Sequence, residues 1–235
     1  MSGINHAMVL AAGRGERMRP LSDHTPKPLI EIAGRSMLDR MLDRLSGCNR
    51  VVVNTWHLAD QITQAVAQRS TPPIVLSHET TLLDTGGGVR HALPSLGRDP
   101  FFVVAGDVIL TEAQTPALSS LEDAWDATAM DALLLLVPRD KAGGFKGKGD
   151  FFRASDGRLR RRGNVSMAPF VYASIQIVHP RLFADAPDGP FSFNLLWDRA
   201  LAADRLFGVE HTGGWCTVDR PENVARAEQL LKQQP

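Results

Sequence analysis

Two stretches carry residue types suited to phosphate chemistry. Between residues 10 and 29 the sequence reads Leu-Ala-Ala-Gly-Arg-Gly-Glu-Arg-Met-Arg-Pro-Leu-Ser-Asp-His-Thr-Pro-Lys-Pro-Leu. Ala11, Ala12, Gly13 and Gly15 have little or no side chain, so backbone N–H groups can come close to phosphate oxygens. Arg14, Arg17, Arg19 and Lys27 put four cations in the same segment. That density of donors and charge suits a triphosphate, whose charge must be neutralised before a nucleophile can approach. Three prolines, Pro20, Pro26 and Pro28, are expected to hold Lys27 in an extended segment. The second stretch, Phe101 to Val108, is an apolar run interrupted by Gly106-Asp107. A carboxylate at that point is the hard oxygen ligand magnesium takes while sharing its shell with phosphate and water. The alternative is an ordinary turn or capping aspartate.

Two other phosphate loops are excluded. The dinucleotide fingerprint needs a third glycine where Met18 stands, and no Gly-Lys-Ser/Thr occurs anywhere in the chain.

These residues need a scaffold, and the apolar runs supply one. His6 to Ala12, Arg50 to Asn54, Pro73 to Ser77, Pro100 to Ala105 and Asp131 to Val137 read as strands buried on both faces. Ser36 to Leu45 places Met37, Leu38, Met41, Leu42 and Leu45 on one helical face; Leu58 to Ala67 and Gly88 to Leu93 are weaker helices. Strand and helix alternating in this way predict an α/β, Rossmann-like fold: a mostly parallel sheet with helices on both faces. Ligands of such sheets bind beyond the carboxyl ends of the strands, where the basic loop and Asp107 fall. Further on, Phe151 to Arg153 and Arg158 to Arg162 flank an Asp156-Gly157 hairpin turn, and Phe170 to His179 reads as a strand. Phe193 to Ala203 and Pro221 to Lys232 read as helices. A small β-rich insertion is expected at the carboxyl-terminal edge of the sheet, beginning near Gly143. The whole chain, 1–235, reads as one domain, with halves of about 1–140 and about 141–235.

Composition narrows the classes. The 26 basic and 26 acidic residues balance, so no global field draws nucleic acid or an anionic membrane. Cys48 and Cys216 have neither disulfide-framework nor zinc-site spacing, and read as buried small hydrophobes. No signal peptide is evident in the first residues and no apolar run is long enough for a bilayer. A cytoplasmic protein, monomeric or a small homo-oligomer, is expected. The absence of a hexapeptide repeat argues against a fused β-helix.

The basic loop resembles the signature of the sugar-phosphate nucleotidyltransferases, roughly Gly-x-Gly-x-Arg-x-x-Pro-Leu followed by Pro-Lys-Pro-Leu. Gly13, Gly15, Arg17, Pro20, Leu21, Pro26, Lys27, Pro28 and Leu29 fill it. The resemblance covers nearly the whole chain and, within the family, is strongest to single-domain N-acetylmuramate 1-phosphate uridylyltransferases. It implies transfer of a nucleotidyl group, from UTP or another NTP, to a sugar 1-phosphate with release of pyrophosphate and dependence on Mg²⁺. It implies that Arg17 and Lys27 hold the triphosphate, with Leu10, Ala11, Ala12, Gly13 and Gly15 beside it. It places Glu79, Asp84 and Thr85 near the nucleobase, although Asp84 and Thr85 also suit simple helix capping. It makes Asp107 a catalytic metal ligand that also meets substrate, and puts Asn54, Gly149 and Asp150 near the sugar. The family's second metal carboxylate belongs to a Trp-x-Asp-Val-Gly-Thr-Pro-Glu pattern; here Trp215-Cys-Thr-Val-Asp-Arg-Pro-Glu222 puts Thr217 at that place and Asp219 two positions on. Residues two apart in an extended segment share a side, so Asp219 either replaces it or leaves Asp107 as the lone protein ligand. The family also has a glycine in the strand of Ser174 and a lysine in place of Ser192.

The loop Gly143 to Gly149 reads either as a lid over the sugar phosphate or as a mobile loop, and Arg158, Arg160, Arg161 and Arg162 read as a solvated hairpin. A relative using mannose 1-phosphate with GTP, or a nucleotide-sugar sensor without turnover, are the rival readings.

Overall fold

The structure, a computed structural model, describes residues 3–233. Its apolar runs form one central sheet. The strands are β1 (His6–Leu10), β2 (Arg50–Thr55), β3 (Ile74–His78), β4 (Phe101–Ala105) and, after the short β5 (Val108–Leu110), β6 (Ala132–Pro138). The second half of the chain adds β7 (Phe151–Arg153), β8 (Leu159–Arg161), β9 (Phe170–Val178), β10 (Leu206–Glu210) and β11 (Trp215–Thr217). The main order is β10-β6-β9-β4-β1-β2-β3, all parallel except β9. The expected mostly parallel α/β sheet is therefore observed.

Strand alternation divides the core in two. Ala7, Val9, Val51, Val53, Phe102, Val104, Leu133 and Leu135 face one side, where α1 (Met37–Arg44), α2 (Ala59–Val66) and α4 (Ala117–Ala124) pack. Met8, Val52, Phe101, Val103, Leu134 and Leu136 face the other, covered by α3 (Asp84–Leu96) and α5 (Asn194–Ala202). Near-continuous apolar strands are what burial on both faces requires. A third, smaller cluster packs Met18, Ile32, Met37, Ile109, Cys216 and Val218 with Ala227 of α6 (Glu222–Lys232), and so fastens the basic loop to β5 and β11.

Of the second-half strands, β9 lies inside the sheet, antiparallel to β4 and β6 on either side, and the β7–β8 hairpin extends the sheet from it. The hairpin is tied back by Gly208 N–H donating to Gly157 O (2.9 Å). Two expectations need correction. Helix α3 begins at Asp84, not Gly88, and takes in the glycine run. Those glycines are required by close packing, because a Cβ at Gly86 would lie 2.4 Å from the Phe191 ring and one at Gly87 2.5 Å from Gly189 O. Lys27 is not extended either. Lys27–Leu29 forms a 3-10 turn, with Leu29 and Ile30 N–H donating to Pro26 O and Lys27 O. Pro28 sits where its missing N–H costs nothing.

Candidate active site

The loop after β1 is shaped by two glycines used differently. Gly15 sits at φ 64°, and a Cβ there would meet Lys27 Cβ at 2.9 Å. Ser22 Oγ donates to Gly15 O (2.8 Å) and Met18 is fully buried, which pins the turn at both ends. Gly13 has nothing within 4 Å of its Cβ position and opens on the cleft. The chain thus returns Lys27 beside the loop's start and across from β4.

Gly106 N–H donates to Leu10 O (3.0 Å), which holds the end of β4 against the end of β1. The next residue, Asp107, accepts from Lys27 Nζ at 2.5 Å. Val218 N–H donates to Asp107 O, and the β5–β11 pairing brings the segment after Trp215 alongside. A second ion pair follows, Arg17 Nη1 to Asp219 Oδ2 at 2.8 Å, with Asn223 Nδ2 donating to Asp219 Oδ1. The structure thus puts Asp219 on the cleft beside Asp107, while Thr217 lines only an adjoining pocket. The two carboxylates, each with an oxygen outside its ion pair, suit a hard divalent ion that completes its shell with phosphate and water. Among the described residues no cluster of three or more Asp, Glu, His or Cys could enclose an ion without such help.

The far wall is a buried hydrogen-bonded relay. Asn54 Oδ1 accepts from Ala11 N–H (2.7 Å), Asn54 Nδ2 donates to Glu79 Oε1 (2.6 Å), and Glu79 Oε2 accepts from Leu83 N–H (2.9 Å). Glu79 is 1% exposed, and Gly88 is needed because a Cβ there would sit 2.8 Å from Glu79 Oε1. These three bonds fix the basic loop, the β3–α3 loop and α3 relative to one another. Asp84 Oδ1 accepts from Thr85 N–H and Thr85 Oγ1 from Phe193 N–H (2.9 Å); neither caps α3, whose N-cap is Leu83 with no side-chain cap bond, and both residues line the cleft.

The resulting cleft of about 730 Å³ is lined by Leu10, Ala11, Ala12, Gly13, Gly15, Arg17, Lys27, Asn54, Glu79, Asp84, Thr85, Asp107 and Asp219 among others. A second pocket of about 530 Å³ shares Arg17 and Asp219 with it and continues to Asp150, Tyr172, Asn194 and Trp197. Asp150 therefore lies apart from the phosphate loop. Its carboxyl is pushed up by burial, against the opposing effects of Tyr172 N–H (2.9 Å) and of Arg161 and Arg162. Gly149 lines neither pocket: at φ 79° its Cβ position is 2.2 Å from Ala168 O, so it shapes the turn that carries Asp150. Asn54 lies in the wall of the first pocket, away from the second.

Sequence reasoning passed over several lining residues. Tyr172, Asn194 and Trp197 line the second pocket, while Arg14, already singled out as a cation of the loop, lines the first and stacks over Trp56 (4.9 Å). Ser174 stands at φ 64° in the β9 irregularity between Tyr172 and Gln176, a conformation that suits the family's glycine. Burial pushes the Cys48 and Cys216 thiols up to about 11, which leaves neither a nucleophile at neutral pH.

Known proteins share this architecture. Residues 7–182 match the model of the MobA-like NTP transferase domain. The chain is 41% identical over 232 residues to the N-acetylmuramate alpha-1-phosphate uridylyltransferase of Caulobacter vibrioides, covering 96% of each. It is 31% identical to the protein of that name from Neisseria meningitidis, over 95% of this chain and 97% of that one. The solved inositol-1-phosphate CTP transferase of T. maritima superposes with a TM-score of 0.76 at 14% identity, over 100% of this chain and 99% of the other, a likeness of fold. With the phosphate loop, the paired carboxylates and this full-length similarity together, the chain belongs to the sugar-phosphate nucleotidyltransferases, within the MobA-like NTP transferase domain family.

Proposed function

We propose that this enzyme transfers uridylyl from UTP to N-acetylmuramate 1-phosphate in a magnesium-dependent reaction, giving the nucleotide sugar and pyrophosphate. The observation that carries the reading is two ion pairs on one cleft, Lys27–Asp107 in the wall of the first pocket and Arg17–Asp219 where the second pocket meets it. Full-length similarity to two N-acetylmuramate alpha-1-phosphate uridylyltransferases supports the choice of base and sugar.

In this scheme the nucleotide fills the first pocket and the sugar the second. Asp107 and Asp219 would hold Mg²⁺, which would supply charge neutralisation and a template for the phosphates. Each protein cation then exchanges a carboxylate for a phosphate oxygen, so no charge is left unpaired when substrate enters. The acceptor's phosphate oxygen, already ionised at neutral pH, attacks the α-phosphorus, and the bond to the β-phosphate oxygen breaks in line. No general base is needed. Lys27, 12% exposed, is the better shielded of the two cations and takes the charge that develops on pyrophosphate; Arg17, 66% exposed, bridges donor and acceptor phosphates. The displacement of Asp219 from the family's place is the argument for a sensor, and its lining the same cleft as Asp107 supports turnover instead.

The test is pyrophosphate release with UTP, dTTP, CTP and GTP, each paired with several hexose 1-phosphates. The highest kcat/KM is expected for UTP with N-acetylmuramate 1-phosphate. A preference for GTP with mannose 1-phosphate would favour the rival enzyme, and nucleotide binding without release in any pairing would favour a sensor.

A further inference from the structure

Four arginines crowd the β8 segment, and strand alternation sends them to different places. Arg158 pairs with Asp156 at the hairpin turn, Arg160 stacks outward over Phe152 (4.5 Å), and Arg162 donates to Val165 O (2.8 Å). Arg161 shares the inward face with buried Leu159. Its guanidinium lies over the rings of Phe151 (5.2 Å) and Trp197 (5.6 Å). Nε donates to Asp198 Oδ1 (2.9 Å) and Nη1 to Asn194 Oδ1 (2.8 Å), while Nη2 reaches Asn194 O at 3.2 Å. The solvated-hairpin expectation therefore holds for three of the four.

Arg161 is a wall residue of the second pocket and not of the first. The other cations found only there are poorly suited to reading a ligand: Lys146 is 73% exposed in a pair with Glu222, and Arg220 is exposed on the rim. Arg161 is 30% exposed, held by four side chains before any ligand arrives, and binding it costs little further ordering. A guanidinium has five N–H donors, and its bonds to Asp198 and Asn194 leave one Nη1 hydrogen without a partner among the described residues. The facing carboxylates are Asp198, 62% exposed, whose ion pair is weakened by water, and Asp150, whose carboxyl burial pushes up and whose oxygen already accepts from Tyr172 N–H.

The two pockets meet at Arg17 and Asp219, so the reacting phosphate of an acceptor belongs at that junction and its sugar body extends toward Arg161. We propose that Arg161 binds an anionic substituent on the acceptor's sugar ring, and so selects a sugar 1-phosphate bearing a carboxylate over the same sugar without one. This rests on the two-pocket reading of the proposed function. The guanidinium charge of Arg161 and its one free Nη1 hydrogen favour a carboxylate there over the analogue lacking it, whose binding leaves that hydrogen without an ionic partner.

The test compares wild type with Arg161→Gln and Arg161→Lys, at saturating UTP and magnesium, using N-acetylmuramate 1-phosphate and N-acetylglucosamine 1-phosphate. The two acceptors differ by the 3-O-lactyl group, which carries the carboxylate. Arg161→Gln is expected to raise KM for the carboxylate-bearing acceptor by about tenfold or more, with kcat, the KM for UTP and the KM for the other sugar changed by less than about twofold. Arg161→Lys keeps the charge without the fork and should fall between, a result that still decides the matter if the glutamine variant does not fold. Equal rises for both acceptors would make Arg161 a contact to phosphate or a purely structural residue, and either overturns the proposal. A wild type that prefers N-acetylmuramate 1-phosphate and keeps that preference in Arg161→Gln overturns this inference alone. A wild type with no preference overturns the choice of acceptor itself.

Discussion

In the proposed mechanism, Lys27 is the residue on which the chemistry most depends. It approaches Asp107 at 2.5 Å from a turn that Pro26 and Pro28 frame, and 88% of its side chain is shielded from solvent. Removing a preorganised cation from a developing negative charge costs about a hundredfold or more in rate. Lys27→Ala is therefore expected to lower kcat by about that factor at saturating UTP, acceptor and magnesium, measured by pyrophosphate release; undiminished turnover would remove Lys27 from the mechanism. The donor-side residues were legible in the sequence because the phosphate loop is contiguous, and Asp107 because it ends an apolar run. Asp219 was half legible: strand alternation allowed it to reach the cleft but not to be placed there. Arg161 and Trp197 were not legible, because they meet across an approach between hairpin and helix that no local spacing encodes.

At the scale of elements, the glycines separate ligand access from packing. Gly13 has open space at its Cβ position, and Gly149 has Ala168 O at 2.2 Å with φ 79°. Gly13→Ala should keep the wild-type melting temperature and raise KM for the nucleotide by about tenfold or more, since a methyl there displaces the phosphate. Gly149→Ala should instead lose about 2 kcal/mol, read as a fall of about 4–8 °C in melting temperature. The reverse pattern would mean that the two turns have been assigned to the wrong roles. The same packing logic explains which elements were hard to foresee. Gly86, Gly87 and Gly88 weaken any helical signal, yet they lie inside α3 because Phe191, Gly189 and Glu79 need the room. Gly208 interrupts the apolar run of β10 for a similar reason, with Leu136 Cδ1 at 2.5 Å from its Cβ position. The partners β5 and β11 are three residues each, too short for alternation to declare them.

Across the whole molecule, strands from before and after residue 140 share one sheet, and the two pockets open beside it. The first-half strands were legible because burial on both faces forces continuous apolar runs. The place of β9 between β4 and β6 was not, since a long antiparallel strand reads the same at a sheet's edge as at its centre. This placement puts Tyr172 and Ser174 in the wall of the second pocket and of a smaller one that reaches Leu10, Asp84 and Thr85 of the first. The central claim, a polyphosphate gripped by the Gly13 to Lys27 loop against a divalent ion on two aspartates, is tested most directly by anomalous diffraction from crystals grown with UTP and Mn²⁺. The account predicts a single manganese peak bonded to Asp107, Asp219 and phosphate oxygens, with Lys27 and Arg17 turned onto the triphosphate. Manganese away from both aspartates, or nucleotide bound outside the cleft, would contradict it.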